Sequence, residues 1–127
     1  MKISGISLLV DDQDLAKSFF VEKLGFIVKE DITDKQTGHR WLVVSPTHTN
    51  NVDIILTLAP TQQKPLIGKQ GGEGVLLILQ TQNFDESYQQ MLAKGIEFCE
   101  SPRMEPYGKV AIFKDLCGNK WDLIERY

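Results

Sequence analysis

Few side chains in this sequence combine a reactive type with the spacing that catalysis or metal binding requires. His39 and His48 lie in polar segments on either side of a strand-like run, where we expect exposed turn histidines. Cys99 and Cys117 form neither a CxxC pair nor a zinc-type spacing, and nothing in the sequence gives Cys117 a base. We therefore expect two reduced thiols and no nucleophile that is activated by a neighbouring histidine.

The composition limits both the fold and the partners. The chain has 127 residues, 42% of them hydrophobic, which is enough for one domain with a buried core. The 14 basic and 17 acidic residues give a net charge of −3 and form no basic cluster, so we expect no nucleic-acid partner. The longest apolar stretch is a strand's length, far below the ~20 residues of a membrane-spanning helix. We expect a cytoplasmic protein without membrane contact.

The first half of the chain predicts one strand, one helix and three further strands. Residues 3–10 are β-rich, and the aspartates that follow can cap a helix. Apolar side chains then recur with helical spacing until Gly25, a typical C-terminal cap. The segments FIVKEDI, RWLVVS and VDIILTLA have strand composition, and a turn rich in Asn, Thr and Pro at 46–51 separates the last two. The order is therefore βαβββ.

A connecting segment rich in Pro, Gln and Gly follows. It predicts a linker at 61–73 between a first module, 1–60, and a second module, 74–127. The glycines in this region are not a phosphate-binding loop, because no Lys-Ser/Thr pair follows them and the next element is a strand.

The second module repeats the order of the first. GVLLILQT predicts a strand, Asp85 can cap a helix that ends at Gly95, and IEFCE, GKVAIFKD and NKWDLIE predict three more strands. The repeat is visible when DLAKSFFVEKLGFIVKE is compared with DESYQQMLAKGIEFCE, because each has an acidic cap, an amphipathic helix, a glycine and a β-rich exit.

The closing segment FKDLCGNKWDLIERY carries the most specific resemblance to a known family. It is similar to the last hairpin of the vicinal oxygen chelate superfamily, the group of glyoxalase I, extradiol dioxygenases and bleomycin-resistance proteins. In this hairpin Asp115 would cap the turn, and Gly118 and Asn119 would supply its positive-φ positions. VDDQDLAKSFFVEKLGF and RMEPYG resemble family passages in the same order. The resemblance implies a single α+β domain over 1–127, in which two βαβββ modules form a cupped mixed sheet with helices on the convex face.

The resemblance also implies four metal-ligand positions near the middle of the first and last strands of each module. By motif they fall at Gly5, Ile55, Leu76 (or Val75 if the register shifts by one) and Asp122. Only Asp122 has a ligand atom in its side chain, whereas catalytic metal sites commonly use three protein ligands. We therefore expect no cofactor. A divalent metal held by a different register, or by the two histidines together with Asp122, is the alternative.

Alternation along the strands predicts a small-molecule pocket on the face of the mapped positions. This face is mostly apolar and carries a few polar atoms, as ligand pockets usually do. The predicted pocket residues are Ser7, Ile55, Thr57, Leu76, Ile78, Tyr107 and Asp122. The two tryptophans are typical core residues; alternation turns Trp121 toward the helices and leaves Trp41 unassigned.

Asp122 and Tyr107 are the candidates for acid–base chemistry. A half-buried carboxylate on a pocket wall could bind a cationic or hydroxylated group, or act as a base if burial raises its pKa. Tyr107 precedes the penultimate strand and could cover the pocket and donate a hydrogen bond. The alternative for Asp122 is a structural ion pair with a neighbour such as Lys109 or Arg40.

Three functional hypotheses follow from these residues and the resemblance. The first is a metal-free protein that binds and sequesters a small apolar or cationic molecule, as bleomycin-resistance proteins do. The second is a metal-dependent lyase or isomerase like glyoxalase, or an extradiol-type dioxygenase. The third is a metal-free enzyme that uses Asp122 and Tyr107. The resemblance also predicts a homodimer with two-fold symmetry.

Overall fold

The computed structural model describes residues 1–49 and 52–127, so part of the turn predicted at 46–51 lies outside the described residues. The chain divides into two compact units, Met1–Ile67 and Gly68–Tyr127. Each unit has one mixed sheet and one α-helix. No helix in the described residues is both long and apolar enough to cross a membrane.

The first unit has the predicted βαβββ order. Its strands are β1 (Gly5–Val10), β2 (Ile27–Thr33), β3 (Arg40–Ser45) and β4 (Asp53–Leu58). They lie in the sheet in the order β1-β4-β3-β2, with β1 parallel to β4 and the other neighbours antiparallel. Alternate residues, such as Leu8, Leu42 and Leu56, are fully buried on one face. The opposite face carries the positions mapped for function.

A helix covers the buried face of this sheet. The helix α1 (Gln13–Ser18) continues into a π-helical turn, Phe19–Lys23, where the sequence predicted one regular helix. The side chain of Asp12 caps its N-terminus by accepting a hydrogen bond from the Leu15 amide at 2.9 Å. The wider turn places Phe20 at 0% exposure, with its ring centroid 5.4 Å from that of Phe26. Tertiary packing of these aromatic rings accounts for the departure from regular helical geometry.

The second unit has one strand more than the sequence predicted. It consists of β5 (Val75–Gln80), α2 (Phe84–Ala93), β6 (Glu97–Phe98), β7 (Arg103–Glu105), β8 (Gly108–Lys114) and β9 (Lys120–Arg126). The main path is β5-β9-β8-β6, in which β5 is parallel to β9, and β7 also pairs with β8. The segment RMEPYG therefore forms a tight hairpin into β8. The predicted linker contains a 3-10 helix, Thr61–Leu66.

The last hairpin is closed by one buried carboxylate, as the sequence predicted. Asp115, 5% exposed, accepts hydrogen bonds from the Cys117 and Asn119 amides, from the Asn119 side chain and from the indole of Trp121, at 2.9–3.0 Å. Gly118 has a φ of +94°, as expected. The prediction of a positive φ at Asn119 was wrong, because its backbone and amide side chain are both held by Asp115.

The cap of the second helix differs from the prediction. Asn83, not Asp85, is the N-cap of α2, and its side chain accepts from the Glu86 amide at 3.1 Å. Asp85 lies in the first turn and forms an ion pair with Lys109. A carboxylate in the first turn of a helix interacts favourably with the helix dipole. Asp85 therefore stabilises the start of α2 although it is not the N-cap.

Candidate functional site

The open face of the first unit forms a cleft of about 400 Å³. Cross-strand pairing places Ser7 opposite Ile55, and Leu9 opposite Thr57, so the predicted pocket residues of this unit share that face. The cleft is lined by Ser4, Gly5, Lys29, Glu30, Trp41, Val43, Asp53 and Ile55. It therefore includes two of the mapped metal positions, Gly5 and Ile55.

The floor of the cleft is apolar, because the side chain of Ile55 lies over Gly5, which has no side chain of its own. A Cβ atom placed on Gly5 would lie 2.6 Å from the Cδ1 atom of Ile55 and 3.3 Å from the carbonyl oxygen of Asp53. The Ile55 side chain thus fills the space that a side chain at Gly5 would need. Val43, 5% exposed, lies opposite Ile55 on the neighbouring strand and completes this floor.

The walls of the cleft are polar and aromatic. Trp41 is 42% exposed, and its indole N–H donates a hydrogen bond to the carboxylate of Glu30 on the neighbouring strand β2. Across the cleft, the Nζ atom of Lys29 is 3.3 Å from a carboxylate oxygen of Asp53. These four residues were not among the predicted pocket residues, since strand alternation cannot identify a neighbouring strand or its register.

In the second unit, Asp122 lies at the centre of the sheet. The strand register places it opposite Ile112 on β8 and opposite Ile78 on β5. Its Oδ1 atom is buried and has no hydrogen-bond partner among the described residues. Burial raises the pKa of this carboxyl above its usual value; the positive charge of Arg103 lowers it, and the charge of Glu100 raises it.

The proposed structural ion pair of Asp122 with Lys109 or Arg40 was wrong. Lys109 pairs with Asp85 at 2.5 Å, and the guanidinium of Arg40 pairs with Asp14 at 2.6 Å and with Asp31 at 2.8 Å. The carboxylates that pair with Lys109 and Arg40 lie on α2, α1 and β2. Alternation along a strand could not predict these partners.

Arg103 organises the charges near Asp122. Its guanidinium donates to Glu100 at 3.0 Å and to Glu105 at 2.7 Å, and these contacts, together with a hydrogen bond to Tyr107, raise its pKa. Glu100 also accepts from the Ile112 amide at 3.1 Å. Tyr107 is 47% exposed and is among the groups that raise the pKa of Arg103. The acid–base pairing of Asp122 with Tyr107 stays a prediction.

The residues at the mapped positions do not fit a divalent metal. The side chains of Gly5, Ile55 and Leu76 have no donor atoms for a metal. The strand register shifts between Val75 and Leu77, but the alternative residue at the third position, Val75, has no donor atom either. His39 and His48 are exposed, as predicted. Within 1–49 and 52–127, no group of three or more His, Cys, Asp or Glu side chains is arranged to hold a metal ion.

The two repeated units, each a mixed sheet with one helix, define a paired-module α+β protein. The family model described as the Glyoxalase/Bleomycin resistance protein/Dioxygenase superfamily matches residues 2–123. The chain belongs to this superfamily, which confirms the family and the fold class expected from the sequence.

Several relatives resemble the chain over almost its whole length. A protein of Shewanella frigidimarina (strain NCIMB 400) is 42% identical over 121 residues, which cover 94% of this chain and 90% of that protein. The crystal structure of UcmS2 aligns with a TM-score of 0.84 and 31% identity, covering 98% of this chain and 97% of the other. TnmS3, an antibiotic binding protein from Streptomyces sp. CB03234, aligns with a TM-score of 0.81 and 28% identity, covering 100% and 97%.

Proposed function

We propose that this protein binds a small organic molecule in the cleft of the first unit without a metal ion, and that it acts by sequestering that molecule. The cleft itself carries the proposal. Its volume of about 400 Å³ lies within the range usual for small-molecule sites, and its apolar floor and few polar wall groups have the usual composition.

The donor chemistry of the mapped positions supports binding rather than metal-dependent turnover. A glyoxalase-like or extradiol-type reaction would need donor atoms where this chain has Gly5, Ile55 and Leu76. In addition, TnmS3, which is similar to this chain, is described as an antibiotic binding protein. A sequestering role requires only affinity, and an aromatic wall above an aliphatic floor supplies it through burial of apolar surface.

A thermal-shift screen of antibiotics and small aromatic compounds, run with a chelator present, tests the proposal. A ligand at a hundred times its dissociation constant should stabilise the native state by about 2.7 kcal/mol and raise the melting temperature. Trp41→Ala should remove this shift, because it removes the aromatic wall of the cleft. Tyr127→Ala is the matched control, since Tyr127 is exposed and lies in the other unit.

Two results would overturn the proposal. One is a screen without any stabilising compound. The other is a set of ligands whose shifts are the same in Trp41→Ala as in the unmodified protein, because these ligands would bind elsewhere.

A further inference from the structure

We propose that the cleft of the first unit selects molecules that carry a single positive charge on an aromatic body, with the charge placed beside Glu30 and Trp41. This inference rests on the proposed binding function and adds the chemical class of the ligand. It follows from the way the charges that line the cleft are paired.

Three charged side chains line the cleft, one positive and two negative. Lys29 is 3.3 Å from both carboxylate oxygens of Asp53, so these two charges largely cancel. Glu30 accepts its hydrogen bond from the indole of Trp41, a neutral donor, and forms no ion pair with a Lys or Arg side chain among the described residues. One positive and two negative charges leave the lining with a net charge of −1, which disfavours anions and favours one cationic group.

The surroundings of Glu30 suit an organic cation better than a hydrated inorganic ion. The indole of Trp41 is fixed by its bond to Glu30 and is 42% exposed, so an aromatic ring lies next to the negative charge. A cation that lies over the face of the indole, within about 6 Å of the ring centre, gains from the ring quadrupole, and Trp is the most favourable side chain for this contact. A single carboxylate has too few oxygen ligands for a calcium or magnesium site.

The floor of the cleft determines the rest of the ligand. Val43 and Ile55 present aliphatic surface, and Gly5 adds no side chain above it. A flat apolar body can bury surface there while its charged group stays at the rim with Glu30, which is exposed. The expected ligand is therefore an arylalkyl amine, with the amino group on an sp3 carbon attached to the aromatic body, in its protonated form.

The test uses three probes with one naphthalene body: 2-naphthylmethylammonium, 2-naphthylmethanol and 2-naphthoate. Isothermal titration calorimetry at pH 7 and low ionic strength should give the tightest binding for the cation and the weakest for the anion. We expect the cation to bind on the order of fivefold more tightly than the alcohol. Raising the salt concentration to about 0.5 M should reduce this ratio, because the charge on Glu30 is exposed to solvent.

Glu30→Gln separates charge from shape. The glutamine amide keeps a carbonyl oxygen that can accept from Trp41, so the wall should stay in place while the charge is lost. We expect the preference for the cation over the alcohol to fall to the smaller part that the Trp41 ring supplies, with the affinity of the alcohol unchanged. Glu97→Gln removes the same charge from an exposed strand of the second unit and should leave the preference intact.

The outcomes distinguish this inference from the proposed function. Equal binding of the cation and the alcohol to the unmodified protein would overturn the charge selection and leave small-molecule binding intact. A preference for the cation that is undiminished in Glu30→Gln would also overturn it, because the charge of Glu30 would then contribute nothing to the selection. If none of the three probes binds and the thermal-shift screen is also negative, both proposals fail; if only the probes fail, the charge selection alone is wrong.

Discussion

At the scale of single residues, the contact between Gly5 and Ile55 forms the floor of the cleft. Because the Cδ1 atom of Ile55 lies 2.6 Å from the place of a Cβ on Gly5, Gly5→Ala must displace the Ile55 side chain. We expect a loss of no more than about 1 kcal/mol in the free energy of unfolding, because the displaced atom is the end of a flexible side chain on the open face. Ile55→Val removes the Cδ1 atom, so Gly5→Ala should cost less in that background. Urea unfolding of the two single variants and the double variant measures the coupling, and strictly additive costs would contradict the contact.

Asp122 should make stability depend on pH. Burial raises the folded-state pKa of this carboxyl above its ordinary value of 3.8, so the native state binds the proton more tightly than the unfolded state. This contribution is fully present below the ordinary pKa and is lost as the pH rises through the raised one. Asp122→Asn should therefore raise the free energy of unfolding at pH 7, because it removes a carboxylate charge that is disfavoured by burial.

At pH 3 the same substitution should have little effect on stability, since the carboxyl is then neutral in both states. Chemical unfolding of both proteins at the two pH values measures the difference. An Asp122→Asn variant that is destabilised at pH 7 would show that the carboxylate has a stabilising partner in the native protein.

At the scale of elements, the last hairpin depends on Asp115. Asp115→Ala would leave the buried indole N–H of Trp121 and the polar groups of Asn119 without their acceptor. We expect a loss of about 3 kcal/mol or more in the free energy of unfolding. Asp34→Ala is the matched control, because Asp34 accepts from the Gln36 and Thr37 amides in an exposed turn, where water can replace the lost acceptor, so the loss should be much smaller.

Urea unfolding measures both losses. Equal losses in the two aspartate variants would contradict the claim that a lost acceptor costs more when its donors are buried. The comparison keeps the residue type and the kind of turn bond constant. Asp115 differs from Asp34 in the burial of these groups and in its two additional hydrogen bonds from the side chains of Asn119 and Trp121.

The elements could be predicted where local chemistry decides them. The repeated strand–helix order and the Asp115 turn follow from cap residues, glycines and alternation, all of which are read within a few residues. The π-helical turn at Phe19–Lys23 was not predicted, and its geometry departs from the helical spacing of the sequence. The short strand Arg103–Glu105 was also not predicted, although it pairs with the next strand through the local hairpin at Pro106 and Tyr107.

The candidate site was predicted only in part for a related reason. Alternation correctly identifies residues of one strand that share a face, such as Ile55 and Thr57, but it does not identify the neighbouring strand. Trp41, Glu30 and Lys29 were missed because they come from β3 and β2, whose register against β4 is a tertiary property. No local signal in the sequence marks these residues, because Trp41 stands between Arg40 and Leu42, and Lys29 and Glu30 look like ordinary surface charges.

At the scale of the whole molecule, the expected assembly is a homodimer. The prediction comes from the family resemblance, and two-fold pairing is the commonest arrangement of identical chains. Light scattering coupled to size-exclusion chromatography should give about twice the chain mass of 14.4 kDa. A mass of one chain across the accessible concentration range would show that the protein is a monomer.

The central claim is that binding in the cleft needs no metal, and one calorimetric comparison tests it directly. The tightest ligand from the thermal-shift screen would be titrated into protein stripped by a chelator and into protein supplied with one equivalent of zinc, manganese or ferrous iron. We predict the same dissociation constant, within about twofold, in every sample. Binding that disappears from the stripped protein and returns with one of these metals would contradict the claim.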